Sequence, residues 1–371
     1  MRKHKALPYF ILYGLYWTSF FIAFLMGSVY WFYFCIALLN ALTGALIIWG
    51  RKKCIISKEF LLLFGCSSIA LFPAILLTKS FSIYFLIKLL VVLSGFFCMD
   101  NLYPYVSKYK SFKTFVAGSL ILSFFLSVFF MEDKDFDVTI RFGNTGLFSI
   151  FFSILILIYM IERSIELKKM ELLFLLLISG FVFYLFPSRV AILILCIGFI
   201  LLIGKNMAIS KRVKVIISVS TISLLLGFSF SDNKKIGSTN GRKLIYKVIL
   251  QNIHSVPNSG YGLNSFPHVY PLLQEKYYRE GYMTKEEIQL ADDTRYAFNE
   301  FFQVFYELGI WGFLSVVLWV VFIIKWKQMS FFFSILPSLL FSYPFHNDYV
   351  LYLLLCLWIV YAHSEKRKYA I

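Results

Sequence analysis

Apolar residues in this chain come in long runs separated by short polar stretches. A helix that crosses a bilayer needs roughly 20 apolar residues, with about 17 to 25 common. On that rule the sequence predicts about twelve spans, some short, near 7–26, 29–49, 60–78, 83–99, 114–131, 147–161, 171–187, 189–204, 213–230, 298–324, 331–345 and 349–363. The run 171–204 is too long for one span at about 1.5 Å per residue and has to double back. Pro187-Ser188-Arg189 is then a tight tip, recessed below the surface. The longest interruption, 231–297, falls between the ninth and tenth spans, and the other connections are short. The expected architecture is one all-α polytopic membrane domain over 1–371, with 231–297 forming part of a site.

The tenth span has an unusual pattern. It follows a polar start, Asp292, Asp293 and Arg295, and carries Asn299, Glu300, Gln303 and Glu307 at spacings of three and four. On a helix Glu300, Gln303 and Glu307 share one face. Seven residues of helix rise roughly 10 Å, so this stripe runs from the membrane surface into the apolar layer. Carboxylates at that depth are costly unless they face protein or a water-filled interior, which makes them functional candidates. Hydrogen bonding to other helices is the plainer reading. Gly309 and Gly312 follow and would let a neighbouring helix approach closely.

Composition agrees with the pattern. The 371 residues are 60% hydrophobic and only 15% charged, against about 25% charged in a soluble domain. The net charge of +16 is spread in small clusters between apolar runs and forms no long basic face, so it does not point to nucleic acid. With the N-terminus in the cytoplasm, 22 of the 36 basic residues fall in short inner segments, which brings both termini to the cytoplasmic side. The run after MRKHK lacks a small-residue cleavage site and is expected to be a retained span. The six cysteines are scattered, with no metal-ligand spacing. Inverted repeats of the kind that build transporters are not visible by eye.

The outer loop holds seven tyrosines and mixed charge. Within it, Gly241 to Ile253 places Leu244, Ile245, Val248 and Ile249 on one helical side, and Ser238, Thr239 and Asn240 offer N-cap oxygens. Such a helix could lie in the membrane interface or pack on the bundle, and periodicity does not distinguish the two. Pro257, Gly260 and Gly262 then force turns.

Three arginines stand at or near the outer edge: Arg141, Arg189 and Arg242. Converging on one ligand they would suit a pyrophosphate, whose oxygens accept forked donors; taken singly, each could equally snorkel to the interface. For acid–base work the outer candidates are His254, His268, His346, Asp292, Asp293 and Glu300. The acidic groups at 132–137 and at Asp292 and Asp293 suit solvated caps better than a divalent-ion site. No metal and no cofactor is expected. Walker, dinucleotide, HExxH and GxSxG motifs are missing, so the energy for any reaction has to come from the substrate.

Four stretches resemble the O-antigen polymerase/ligase family, bacterial membrane enzymes that use undecaprenyl-pyrophosphate-linked glycans. IRFGNTGLFSIFF looks like an arginine–glycine–asparagine stretch entering a span, and PSRVAIL like the family's Ser-Arg turn. TNGRKLIYKVILQNIHSVPNSGYGLNSF resembles its outer-loop arginine, amphipathic helix, Pro and G-x-G. FNEFFQVFYELGIWG resembles the close of that loop. The resemblance runs from about Arg141 to Gly312.

It implies a GT-C-like membrane glycosyltransferase in which Arg141, Arg189 and Arg242 hold the donor's pyrophosphate and an acceptor sugar hydroxyl attacks the anomeric carbon. The partners implied are undecaprenyl-pyrophosphate-linked oligosaccharide, an acceptor glycan (lipid-linked or lipid A core) and membrane lipid, in the bacterial inner membrane. Phe298 stands where the ligases place their proposed catalytic histidine. The proton then falls to Glu300, Asp293 or His268, or the step needs no dedicated base. Asn299, Gln303, Glu307, Gly260 and Gly262 complete the expected site. The missing histidine favours a repeat-unit polymerase for O-antigen or capsule over a ligase or a protein O-oligosaccharyltransferase. A lipid-linked oligosaccharide flippase is the rival of another class, although the charges here gather in the outer half.

Overall fold

A computed structural model describes residues 15, 29–49, 56–77, 83–106, 145–163, 169–206, 233–291, 294–326 and 328–368, and all their regular structure is helical. The helices are α1 (Val29–Trp49), α2 (Lys58–Leu77), α3 (Ile83–Val106), α4 (Thr145–Arg163), α5 (Lys169–Leu185), α6 (Arg189–Asn206), α7 (Asn233–Gln251), α8 (Phe266–Arg279), α9 (Lys285–Leu290), α10 (Glu300–Lys325), α11 (Met329–Phe341) and α12 (Asp348–Lys368). Single 3-10 turns follow α7, at Ile253–Ser255, and α11, at Pro344–His346. A helix thus stands on nine of the twelve apolar runs; the runs 114–131 and 213–230, and 7–26 apart from Leu15, lie outside the described residues.

Two described segments, Thr145–Glu162 and Glu300–Lys325, are long and apolar enough to cross a membrane. They are used differently. In α4 nearly every side chain from Leu147 to Ile161 is buried, and α6 and α12 pack on it, so it is the axis of the bundle. In α10 the side chains Ile310, Phe313, Leu314, Val317, Val321 and Ile324 are exposed at spacings of one, three and four. Such a stripe faces lipid if the helix lies in a bilayer. The doubling-back at 171–204 is present: α5 ends at Leu185 and α6 starts at Arg189. Ser188 caps α6, its Oγ accepting from Ala191 N at 3.3 Å, and this puts Arg189 on the first turn.

Polar side chains tie the helices at the end remote from Glu300. His363 of α12 meets Asp100 of α3 at 2.8 Å, with the Tyr103 ring 4.9 Å from the imidazole, and the Tyr103 hydroxyl donates to Glu162 of α4. Gln328 donates to Glu59 at 3.1 Å and accepts from the Trp358 indole at 2.7 Å.

The segment 233–291 has a small core of its own. Leu244, Ile245, Val248 and Ile249 of α7 are buried against Phe266, Tyr270, Leu273 and Tyr277 of α8 and against Tyr306 of α10. The apolar side of α7 is therefore spent on packing, and the interfacial alternative falls away. The helix also starts earlier than its sequence signals. It begins at Asn233 and runs straight through Ser238, Thr239, Asn240 and Gly241, so those residues are not its N-cap. Tertiary burial of its second half outweighs the helix penalty of about 1 kcal/mol at each of its two glycines, Gly237 and Gly241.

Candidate functional site

The N-terminus of α10 is fixed by Asn299. Its backbone is extended, its Oδ1 accepts from Phe301 N at 3.0 Å and Phe302 N at 3.2 Å, and its Nδ2 donates to Leu340 O at 3.1 Å. Asn299 is thus a helix cap that also ties α10 to the end of α11. From this start Glu300, Gln303 and Glu307 point to one side, and all three are buried.

What they face is His346, in the 3-10 turn between α11 and α12. Its Nδ1 lies 3.3 Å from Glu300 Oε2, and its Nε2 lies 3.4 Å from Glu307 Oε2. The remaining carboxylate oxygens are occupied. Glu300 Oε1 accepts from Phe345 N at 2.6 Å, and Glu307 Oε1 accepts from Gln303 Nε2 at 2.7 Å. Gln303 Oε1 in turn accepts from Ala297 N at 2.7 Å. Burial works to lower the His346 pKa, but the two carboxylates outweigh it and raise it to about 10. At neutral pH His346 is then an imidazolium set between the Glu300 and Glu307 side chains.

An aromatic set adjoins the cluster. Tyr296 stacks on Tyr343 at 3.9 Å between centroids and meets His346 edge-on at 5.8 Å. Tyr343 in turn meets Phe298 edge-on at 5.4 Å. Phe298 has a positive φ of 53°, rare for a bulky residue, and its carbonyl accepts from the Tyr246 hydroxyl at 3.0 Å.

The Phe298 ring lies under Arg242, whose guanidinium carbon is 4.8 Å from the ring centroid. Arg242 Nη1 donates to Phe341 O at 3.3 Å, while its buried Nε has no hydrogen-bond partner among the described residues. Burial lowers the Arg242 pKa; Tyr246 and Tyr343 oppose that, and the charge of Arg189 adds to it. Arg189, at the head of α6, is therefore close enough to act on Arg242, at the middle of α7. No carboxylate within 4 Å neutralises Arg242 among the described residues.

Gly260 and Gly262 have a definite task. At Gly309 the backbone of α10 leaves the helix, with φ 65° and ψ −152°. A break of this kind strands backbone groups that lipid cannot satisfy. The loop after α7 satisfies them: Tyr261 N donates to Tyr306 O at 2.9 Å, Gly262 N to Glu307 O at 3.0 Å, and Ile310 N to Asn258 O at 3.1 Å. The approach is so close that a Cβ on Gly309 would lie 2.1 Å from Asn258 O, and one on Gly260 2.4 Å from Glu307 O. The partner that Gly309 admits is therefore a loop and not a neighbouring helix, and the helical approach expected there is corrected.

Of the other expected site residues, Arg141 and Asp293 lie outside the described residues, as does Asp292. His268 stands on the exposed face of α8, and none of the bonds around Glu300 involves it. Its neighbours Phe266 and Tyr270 take the buried face instead. The cluster thus draws its histidine from the hairpin after α11. His346 was one of six candidates by sequence, and it sits in the short connection between the last two spans, at the end of the bundle where α10 begins.

Residues 173–317, which is 145 of the 371, match the family model described as O-antigen ligase. No curated protein and no solved structure matches the chain. The matched segment takes in the Ser-Arg turn, the Arg242 helix with its G-x-G loop and the polar, kinked start of α10, while the stretch around Arg141 lies before it. Over that segment the match supports the O-antigen polymerase/ligase family, which is membrane-embedded and whose activity in general is glycosyl transfer of the O-antigen ligase or polymerase type.

Proposed function

We propose that this protein moves a glycan from an undecaprenyl pyrophosphate carrier to a sugar hydroxyl on the outer face of the bacterial inner membrane, as a polymerase of polysaccharide repeat units. The observation that carries this reading is the placement of Arg242 over Phe298 at the start of α10, near enough to Arg189 for the two charges to act on each other, with no carboxylate neutralising Arg242 among the described residues. Forked, permanently charged donors suit a diphosphate and favour its departure as charge builds on it. Arg141 is assigned to the same group by the family pattern. On the acceptor side, Glu300 takes the proton of the attacking hydroxyl as the new bond to the anomeric carbon forms. The electron pair of the old bond leaves with the lipid diphosphate.

Polymerase is preferred because Phe298 occupies the ligase histidine position and serves as the face on which Arg242 rests. The family description favours ligation to lipid A core as the second reading. Both place the loop 231–297 outside and both termini in the cytoplasm.

Arg189→Ala and Arg242→Ala are each expected to abolish long-chain polysaccharide in cells while leaving the protein's abundance intact. Each should also remove the thermal stabilisation of the detergent-solubilised protein by undecaprenyl pyrophosphate. Wild-type chain length in both variants would overturn the diphosphate site.

A further inference from the structure

His346 is not used by the reading above, yet its surroundings are built around it. It comes from a turn 39 and 46 residues beyond the two carboxylates it meets, so the chain has to fold back to place it. Glu300 and Glu307 are two turns apart on one buried helix face, and without a cation between them their charges would repel in a medium that screens poorly. The Nε2 side of the ring meets the better-anchored carboxylate. Glu307 is held by Gln303 through its side chain and by Gly262 through its carbonyl, which ties it to the loop seated on the α10 break.

The Nδ1 side is different. Nδ1 and Glu300 Oε2 stand 3.3 Å apart, but neither has a hydrogen bond among the described residues, although both are buried. A buried carboxylate oxygen of this kind has accepting capacity left to use. The other oxygen of the same carboxylate is fixed by Phe345 N. Among the described residues Glu300 is thus hydrogen-bonded at Oε1, while its buried Oε2 has the imidazole ring 3.3 Å away.

We propose that His346 is a positioning residue for the transfer step: it spans Glu307 and Glu300 and aims Glu300 Oε2 at the acceptor hydroxyl. The inference rests on the reading that Glu300 receives the acceptor's proton. In the step, the acceptor O–H proton passes to Glu300 Oε2 while the acceptor oxygen bonds the anomeric carbon. The bond from that carbon to the diphosphate oxygen breaks, and its electron pair stays with the lipid diphosphate. His346 neither gains nor loses a proton. It offsets one of the two negative charges, so that Glu300 can stay ionised beside Glu307.

The groups around the ring fix the pH at which this fails. Glu300 and Glu307 face it from α10, Tyr296 meets it edge-on, and the charges of Arg295, Glu307, Asp348 and Glu300 act on Tyr296. The charge on His346 is present at neutral pH and lost as pH rises through about 10. Loss of that charge leaves two carboxylates facing a neutral ring.

The test uses the full chain in membranes of its own host, supplied with the endogenous donor, and follows polysaccharide formed per unit time from pH 7 to 10.5. Undecaprenyl pyrophosphate binding to the solubilised protein is measured alongside. His346→Gln and His346→Ala are expected to slow transfer on the order of 100-fold at pH 7, a loss of the size general-base catalysis supplies, with half-saturation by undecaprenyl pyrophosphate unchanged within about twofold. His346→Lys, which restores a cation, should recover at least about a tenth of the rate and carry it to higher pH than wild type. His346→Gln at the wild-type rate would overturn the proposal, as would a rate lost only in step with undecaprenyl pyrophosphate binding in all three variants. A normal rate in Glu300→Gln would sink the base and the proposal with it, whereas a slowed Glu300→Gln beside a wild-type His346→Gln would sink the positioning role alone.

Discussion

Two histidines in this protein meet buried carboxylates, and they do so in contrasting ways. Their side chains are equally sheltered, 15% exposed for His346 and 16% for His363, so burial does not separate them. His363 takes one partner, Asp100, at 2.8 Å, with Tyr103 lying over the ring. His346 takes two, at 3.3 and 3.4 Å, and beside it Glu300 Oε2 has no hydrogen bond among the described residues. Around His363 the helices are regular. Around His346 lie Phe298 at positive φ, the break at Gly309 and Arg242, which has no counter-ion among the described residues. A pair that serves packing can settle into its best bond. A cluster with leftover charge and strained backbone has to be held by the rest of the fold, and sites that do chemistry are where such arrangements concentrate.

The contrast is sharpest in Glu300→Gln. Gln keeps the bond from Phe345 N and fills the same space, so the melting temperature should stay within a few degrees of wild type. Transfer per molecule should fall on the order of 100-fold, the usual scale for losing a general base. An unchanged rate across pH would reduce the His346 cluster to a second packing tie.

Next in size is Gly309→Ala. A side chain there meets Asn258 O at 2.1 Å and forces a φ of 65° on a residue that resists it. The backbone strain alone is worth about 1 to 3 kcal/mol. Lifting the loop would also free the Tyr306 and Glu307 carbonyls and loosen the anchor of Glu307. Both a clear drop in melting temperature and a loss of polysaccharide are expected, with early proteolysis within 257–262. A variant that melts and cleaves like wild type would mean that the loop does not hold the break.

How much of this could be read from the chain depends on whether the information was local. The stripe Glu300, Gln303, Glu307 follows from helical spacing alone, and the turn at Arg189 from the length of one apolar run. His346 meeting that stripe follows from neither, because a contact across 39 residues has no periodic signature. Gly309 looked like a small residue inviting a helix; that a loop answers it depends on the break in its own backbone, which sequence spacing does not reveal. The start of α7 was misplaced because Ser238, Thr239 and Asn240 resemble a cap, and only the burial of Leu244 and Val248 against α8 explains why the helix overrides them. His268 was a candidate by its chemistry and is ruled out of the cluster by its position on α8, where the aromatic neighbours claim the inner face.

The smallest expected effect on activity belongs to the other histidine. Asp100 lies near the end of α3, and His363 is fifteen residues along α12 from Asp348, about 22 Å at 1.5 Å per residue. A change there acts on Glu300 only through the packing of whole helices. Asp100→Asn keeps the size of the side chain and one acceptor oxygen for His363, so it exchanges a charge-assisted bond for a neutral one, a loss of about 1 kcal/mol. The melting temperature of the solubilised protein should fall by a few degrees, while polysaccharide made per folded molecule should stay within about twofold. If Asp100→Asn instead cut transfer as deeply as Glu300→Gln with no thermal penalty, the two histidine clusters could not be told apart by function. The distinction between a tie that holds helices and a cluster that holds a reacting carboxylate would then have to be abandoned.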